Sequence, residues 1–191
     1  MRMVELKNYI LHYCPLNDED LTTVLSRFTV KTLSKKQHLL KQGQVCREFA
    51  YVAKGLFRQY YKDRQEKDIT SWISFENTPA TELASFLSQQ PAKFYIQALE
   101  DSEVATISYA DLQELYMILP AFQEFGRKLA EKILVGAINR TVSFQKETAA
   151  QRYNMLLQRP EYFQRVPLKY LASMIGITDT SLSRLRRKKM S

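Results

Sequence analysis

Histidine and cysteine are scarce in this chain, with two of each among 191 residues. Cys14 and Cys46 are too few and too widely spaced for a disulfide framework or a four-cysteine metal site. They also fall short of the roughly four ligands an iron–sulfur cluster takes. His12 and His38 make no nucleophile–histidine pair and read as incidental rather than as haem ligands. There is no Gly-rich phosphate loop and no metal-ligand cluster, so no catalytic constellation emerges and an enzyme is not expected. No apolar run approaches the roughly 20 residues of a membrane span. The opening stretch "MRMVELKNYILHYC" lacks the apolar core and cleavage site of a signal peptide, which predicts a reduced, cytoplasmic protein and no membrane partner. Acidic residues are nearly missing from one end. Residues 151–191 hold nine Lys/Arg against Glu161 and Asp179, and so carry +7 of the net +8. Charge gathered at one end fits a polyanionic partner, with a solvated basic tail as the alternative.

What is present is an ordinary globular composition, 45% hydrophobic and 25% charged, with a texture that changes along the chain. "LNDEDLTTVLSRF" reads as a helix start, with Asn17 as the cap and three acids favouring the positive helix N-terminus. From Phe28 to Ile107, short aromatic and β-branched stretches alternate with turn signals: "FTVKTL", "HLLKQG", "FAYVAKG", "LFRQYYK", "ITSWISF", "KFYIQALE" and "EVATIS". Strands at such spacing predict an antiparallel sandwich or barrel. Gly43 and Gly55 fall at strand ends, and "ELASFLSQ" is placed as a short helix between strands.

After Ser108 the pattern is helical. "YADLQELYMIL" ends at Pro120, where a second pattern begins with proline in its first turn. Phe122, Phe125, Leu129, Ile133, Ala137, Val142 and Phe144 then form an apolar stripe with nearly heptad spacing. One helix over 121–157 extends about 55 Å at 1.5 Å per residue. That is too long to bury its stripe in a small domain, so a homodimer is expected. Its interface residues are Phe122, Phe125, Leu129, Ile133, Ala137 and Phe144, and Gly126 and Gly136 admit a close partner helix. A bent helix folded back on its own β-rich segment is the alternative.

The last readable pattern is "LKYLASMIGITDTSLSRLRR". Two helices crossing steeply need a small residue at their contact, which Ala172 supplies. Gly176, four residues on, tolerates a left-handed turn. Leu171, Ile175, Ile177, Leu182 and Leu185 sit where the helix pair locks together, and Thr178 sits where a hydroxyl begins the second helix. The polar positions left on that helix are Asp179, Thr180, Ser181, Ser183, Arg184, Arg187 and Lys188. This matches a DNA-binding helix-turn-helix, whose second helix enters the major groove.

With these motifs in place, the chain from Leu21 onward resembles the family of the cyclic-AMP receptor protein and the fumarate–nitrate regulator (Crp–Fnr). "FAYVAKGLFRQYY" is similar to the strand–glycine–strand signature of the family's β-roll, and "EVATISYADL" to the exit from its last strand. "RYNMLLQRPEYFQRVPLKYLASMIGITDTSLSRLRRKK" resembles the short regulators that lack a winged hairpin. The resemblance implies an α+β protein in three parts. Residues 1–119 are a cyclic-nucleotide-binding-like, cupin-like β-roll, that is, a jelly-roll-like double-stranded β-helix acting as sensor. Residues 120–150 are a dimerisation helix, and 151–191 an all-α helix-turn-helix domain. It implies a transcription regulator with double-stranded DNA of pseudo-palindromic sequence, a second copy, RNA polymerase and a small effector as partners. The other reading is an interaction module whose basic tail contacts RNA or acidic partners.

Carried over residue by residue, Arg184 falls on the family arginine that contacts guanine, a job its bidentate fork suits. Thr178 and Ser181 match hydroxyls that touch phosphate, and Arg187 a basic position near the backbone. Asp179 and Thr180 replace an arginine and a glutamate, so a different operator is expected. In the sensor, Glu82 and Leu83 keep two residues of the Gly-Glu-Leu stretch, while Thr81 replaces its glycine. Ala92 stands where an arginine holds the cyclic phosphate, with Lys93 beside it as a point charge that cannot copy the planar fork. Ala137 and Ile138 replace the hydroxyl pair that reaches adenine. Glu82, Leu83, Lys93, Ala137 and Ile138 are the candidate effector pocket, and the departures disfavour cyclic AMP. Glu82 as a helix-start acid and Lys93 as a solvated charge are the plainer readings. No cofactor is assigned.

Overall fold

The computed structural model describes residues 2–190, with the side chains at positions 2 and 188–190 outside the description. The chain divides into two compact units: residues 1–59 with 73–132, and residues 60–72 with 133–191.

Short antiparallel strands form two sheets. β1 (Thr29–Leu33), β7 (Ser102–Ser108) and β3 (Glu48–Lys54) form one sheet in the order β1-β7-β3. β2 (His38–Leu40), β6 (Tyr95–Ala98), β4 (Phe57–Lys62) and β5 (Asp68–Ser74) form the other, in the order β2-β6-β4-β5. Each of the seven stretches expected to be extended supplies one strand. Register sets the faces. Ala50 opposes Thr106 and Val52 opposes Val104, while Lys31 opposes Val104 from the other side. The alternate residues Phe49 and Tyr51 face a helical layer, where Phe49 meets Phe125 at 6.4 Å and Tyr51 meets Tyr9 at 4.9 Å. The β3–β4 turn requires glycine at position 55. Its φ is +97°, and a Cβ there would lie 2.1 Å from Ser102 Oγ.

The helical layer comprises α1 (Arg2–Tyr13), α2 (Asp18–Ser26), α3 (Leu83–Ser88), α4 (Tyr109–Ile118) and the first turns of α5 (Gln123–Lys146). Asn17 caps α2 as expected, its Oδ1 accepting the Asp20 N–H at 2.8 Å. Ser108 caps α4 by accepting from Asp111 N at 3.0 Å. Leu6 and Ile10 of α1 are fully buried.

Two expectations for the long helix are corrected. It is not one helix, because α5 ends at Lys146 and α6 (Ala149–Leu157) begins anew. Thr148 and Gln151 form a capping box across the break: Gln151 N donates to Thr148 Oγ1 at 3.3 Å, and Thr148 N to Gln151 Oε1 at 2.8 Å. At 24 residues, α5 is about 36 Å long. Second, Phe122, Phe125 and Leu129 are buried within their own chain. Phe122 and Phe125 stack at 5.1 Å, and Phe125 meets Tyr13 edge-on at 5.8 Å. These three side chains therefore offer no surface to a second chain. Gly126 likewise makes room for an intrachain neighbour, since a Cβ there would meet the Tyr116 hydroxyl at 2.1 Å.

The second unit holds the rest of α5, then α6, α7 (Glu161–Arg165), α8 (Leu168–Met174) and α9 (Asp179–Met190), together with the 60–72 hairpin segment. Its core is Tyr153, Leu156, Tyr162, Val166, Leu171, Ala172, Met174, Ile175 and Leu182. Among the described residues, no helix is long and apolar enough to cross a membrane.

Candidate functional site

Two short helices, α8 and α9, meet through a tight turn. Leu171 and Leu182 are fully buried between them, and Ala172 is 1% exposed, as a contact too close for a larger residue demands. Gly176 adopts φ +76°, and a Cβ there would stand 3.0 Å from the Phe144 ring. Only glycine meets both conditions cheaply. Ile177 N closes the turn by donating to Ala172 O at 3.0 Å. Thr178 Oγ1 accepts from Ser181 N at 3.3 Å and lies within 3.0 Å of the Thr180 and Ser181 hydroxyls. It starts α9 as its spacing predicts, and Asp179 follows in the first turn, where the helix dipole favours an acid.

The outward face of α9 carries the residues singled out from sequence. Thr178, Asp179, Thr180, Ser183, Arg184 and Arg187 are exposed, and Ser181 is half-buried. Lys188 lies on α9, but its side chain is outside the described residues. An exposed arginine-rich face on a helix anchored by a buried seam can present planar donors to a polyanion.

The turn before α9 is held from behind. Arg140 of α5 donates through Nη2 to Met174 O at 3.1 Å, and Arg152 of α6 through Nε to Ile175 O at 3.0 Å. Both guanidiniums stack on Phe144, at 5.1 and 4.6 Å from the ring centre. Burial, and then the neighbouring Arg152 charge, lower the Arg140 pKa from its usual value. Phe144, placed in the dimer stripe from sequence, is the support of this turn. Sequence reasoning passed over both arginines.

In the first unit, Glu82 is 5% exposed and caps α3, its carboxylate accepting the Ser85 N–H at 2.9 Å. Thr81 Oγ1 accepts the Ala50 N–H at 2.8 Å. The Ala92 N–H donates to Gln44 O at 2.8 Å, so backbone and hydroxyl groups here are already engaged. Leu83 is half-buried and Lys93 exposed. Ala137 and Ile138, also exposed, belong to the second unit. A cavity of about 690 Å³ opens beside these groups in the first unit, lined by Lys31, Leu40, Gln44, Cys46, Glu48, Ala50, Ala80 and Ile96 among others. None of Glu82, Leu83 or Lys93 lines it. Lys31 and Glu48 form an ion pair at 2.5 Å. The signal for Lys31 was its alternation: it is in phase with the buried Leu33 on β1. The Cys46 and Cys14 thiols are both pushed up, chiefly by burial, which makes them poor nucleophiles. Among the described residues, no three His, Cys, Asp or Glu side chains gather where they would hold a metal ion.

Residues 30–118 match the cyclic nucleotide-binding domain family. The domain therefore spans β1 through α4. Solved structures extend the likeness beyond it. The c-di-GMP-responsive global regulator CLP of Xanthomonas campestris superposes with a TM-score of 0.70 at 16% identity, over 91% of this chain and 92% of that one. The catabolite activator protein of Thermus thermophilus gives 0.58 at 18% identity, over 94% and 85%. FixK2 of Bradyrhizobium japonicum gives 0.73 at 14% identity, over 84% and 83%. The fold is that of Crp–Fnr-type regulators with a cyclic nucleotide-binding domain. No curated protein matches the chain in sequence.

Proposed function

We propose that this chain is a dimeric, sequence-specific DNA-binding transcription regulator, with α8 and α9 as its helix-turn-helix. The observation that carries the reading is the exposed face of α9, with Arg184 and Arg187 presented on a helix locked by Leu171, Ala172 and Leu182. Arg184 is the base reader, Thr178, Ser181 and Arg187 contact phosphate, and Asp179 and Thr180 face neighbouring base edges. Lys188 adds to the basic surface. The second copy packs against the exposed side of α5, where Leu134, Val135, Ile138 and Val142 are 60%, 56%, 52% and 39% exposed. Ile133 and Ala137 lie beside them, so the dimer seam runs along the C-terminal half of the helix. An operator with half-sites about 34 Å apart follows from two-fold symmetry. RNA polymerase is the downstream partner that such a regulator addresses.

The test is selection of random duplexes by the purified protein. Enrichment of a two-fold symmetric sequence is expected, and Arg184→Ala should cost about 1–3 kcal/mol on that sequence while relaxing preference at one base pair. Enrichment of no sequence, or preference for single-stranded RNA, would overturn the reading. The sensor does not take cyclic AMP in the manner its family resemblance implies. Ala92 brings no cation, Thr81 Oγ1 and the Ala92 N–H are engaged, and Lys93 is solvated. Calorimetric titration with cyclic AMP should give no saturable heat, and one site per subunit would reverse this conclusion.

A further inference from the structure

Every α-helix leaves its last carbonyls without intrahelical partners, and cations near that end are favourable. α8 has no basic residue of its own in its last turn. The cations come instead from two other helices: Arg140 of α5 to Met174 O, and Arg152 of α6 to Ile175 O. Arg152 does more than cap α8. Its Nη1 also donates to Ser143 O at 3.4 Å, in the last turn of α5, and to Glu147 O at 2.5 Å, just past the end of that helix. A single guanidinium thus ties the end of α5, the body of α6 and the end of α8 together. The Phe144 ring, flanked by both arginines, lies so near Gly176 in the turn that a Cβ there would stand 3.0 Å from it. Two residues after Gly176 comes Thr178, the cap of α9.

The other grip on α8 comes from the 60–72 hairpin segment. Thr70 N donates to Ser173 Oγ at 2.8 Å, and the Trp72 ring lies 5.9 Å from the Arg140 guanidinium. A hydrogen bond tolerates only a few tenths of an ångström of stretch before it weakens. A segment held at Ser173, Met174, Ile175 and Gly176 therefore has little freedom to tilt.

We infer that Arg140, Arg152 and the Thr70–Ser173 contact are positioning elements that set the angle at which α9 meets DNA. This rests on the DNA-reading role proposed for α9. They touch no base and act through the turn. Their removal degrades discrimination between sequences rather than attraction to phosphate, because a recognition helix set at the wrong angle keeps its charge.

The experiment measures anisotropy of full-length protein on the duplex enriched by selection and on a scrambled duplex, at one salt concentration. Arg152→Lys keeps the charge and loses the fork. It is expected to weaken binding to the enriched duplex about tenfold, and to leave the scrambled duplex unchanged. Ser173→Ala removes one acceptor and should lower the ratio about threefold, in line with a single hydrogen bond. It decides the question should Arg152→Lys fail to fold. A merely structural loss lowers the active fraction and both affinities together, leaving the ratio intact. An unchanged ratio in folded Arg152→Lys, or in Ser173→Ala, overturns the inference. If the ratio survives there but collapses in Arg184→Ala, α9 still reads DNA and only the positioning role is lost. If the unaltered protein selects no duplex, the DNA reading itself fails.

Discussion

The two halves of α5 are made of similar residues and do opposite things. In the first turns Phe125 and Leu129 are 2% and 6% exposed, and Tyr9, Tyr13 and Phe49 close over Phe125. Two turns later, Leu134, Val135 and Ile138 are each more than half exposed. Apolar spacing identifies which face of a helix avoids water, but not whether its own chain or another covers that face. The first half is covered by its own chain, and the second is exposed; the dimer proposed above would cover it.

The contrast is broken most severely at its buried end. Phe125→Ala should cost about 3–5 kcal/mol of stability, read from urea unfolding, because it empties the centre of a packed aromatic cluster. Leu134→Glu combined with Ile138→Glu should leave the unfolding midpoint of the monomer within about 0.5 kcal/mol of the parent. In sedimentation it should instead abolish the dimer at micromolar chain. A dimer that persists would place the seam elsewhere. At the junction after this half, Thr148→Ala should cost about 1 kcal/mol by removing the α6 cap.

The smallest effect lies in the first turn of α5. The Glu124 carboxyl is held below its ordinary 4.5, first by its hydrogen bond to Lys128 and then by that charge. A depressed folded-state pKa adds stability above the unfolded value, and that increment is lost as pH falls through the folded one. Because the pair is exposed, Glu124→Gln should alter the acid limb of the stability–pH curve only slightly, and not at all in high salt.

How much of this was legible depends on whether the determinant is local. The seven strands, the Asn17 cap and the "ELASFLSQ" helix were readable, because alternation and capping act within a few residues. So were Ala172, Gly176 and Thr178, whose spacing is imposed by two helices crossing. The break in the long helix was also written locally, as Thr148 and Gln151 in capping-box spacing, but the continuing apolar stripe hid it. Phe122, Phe125 and Leu129 were misassigned because burial depends on contacts that spacing does not carry: the partners of Phe125 on α1 and β3 lie some 70 to 120 residues away in sequence. Arg140 and Arg152 could not be singled out at all. They bond to backbone carbonyls, which carry no residue identity for a sequence pattern to match. The Thr70–Ser173 contact is equally silent, since its donor is a main-chain amide.

The interleaving of the two compact units has a consequence for how this chain can be cut and recombined. Residues 60–72 belong with 133–191 although some 60 residues separate them along the chain. The C-terminal segment is therefore not a portable tail. A fragment starting near residue 133 leaves Ser173 without its amide partner and Arg140 without Trp72. A chimera that takes only the C-terminal segment of this protein inherits its letters but not its mounting, and gene fusions should exchange the hairpin and the tail as a pair.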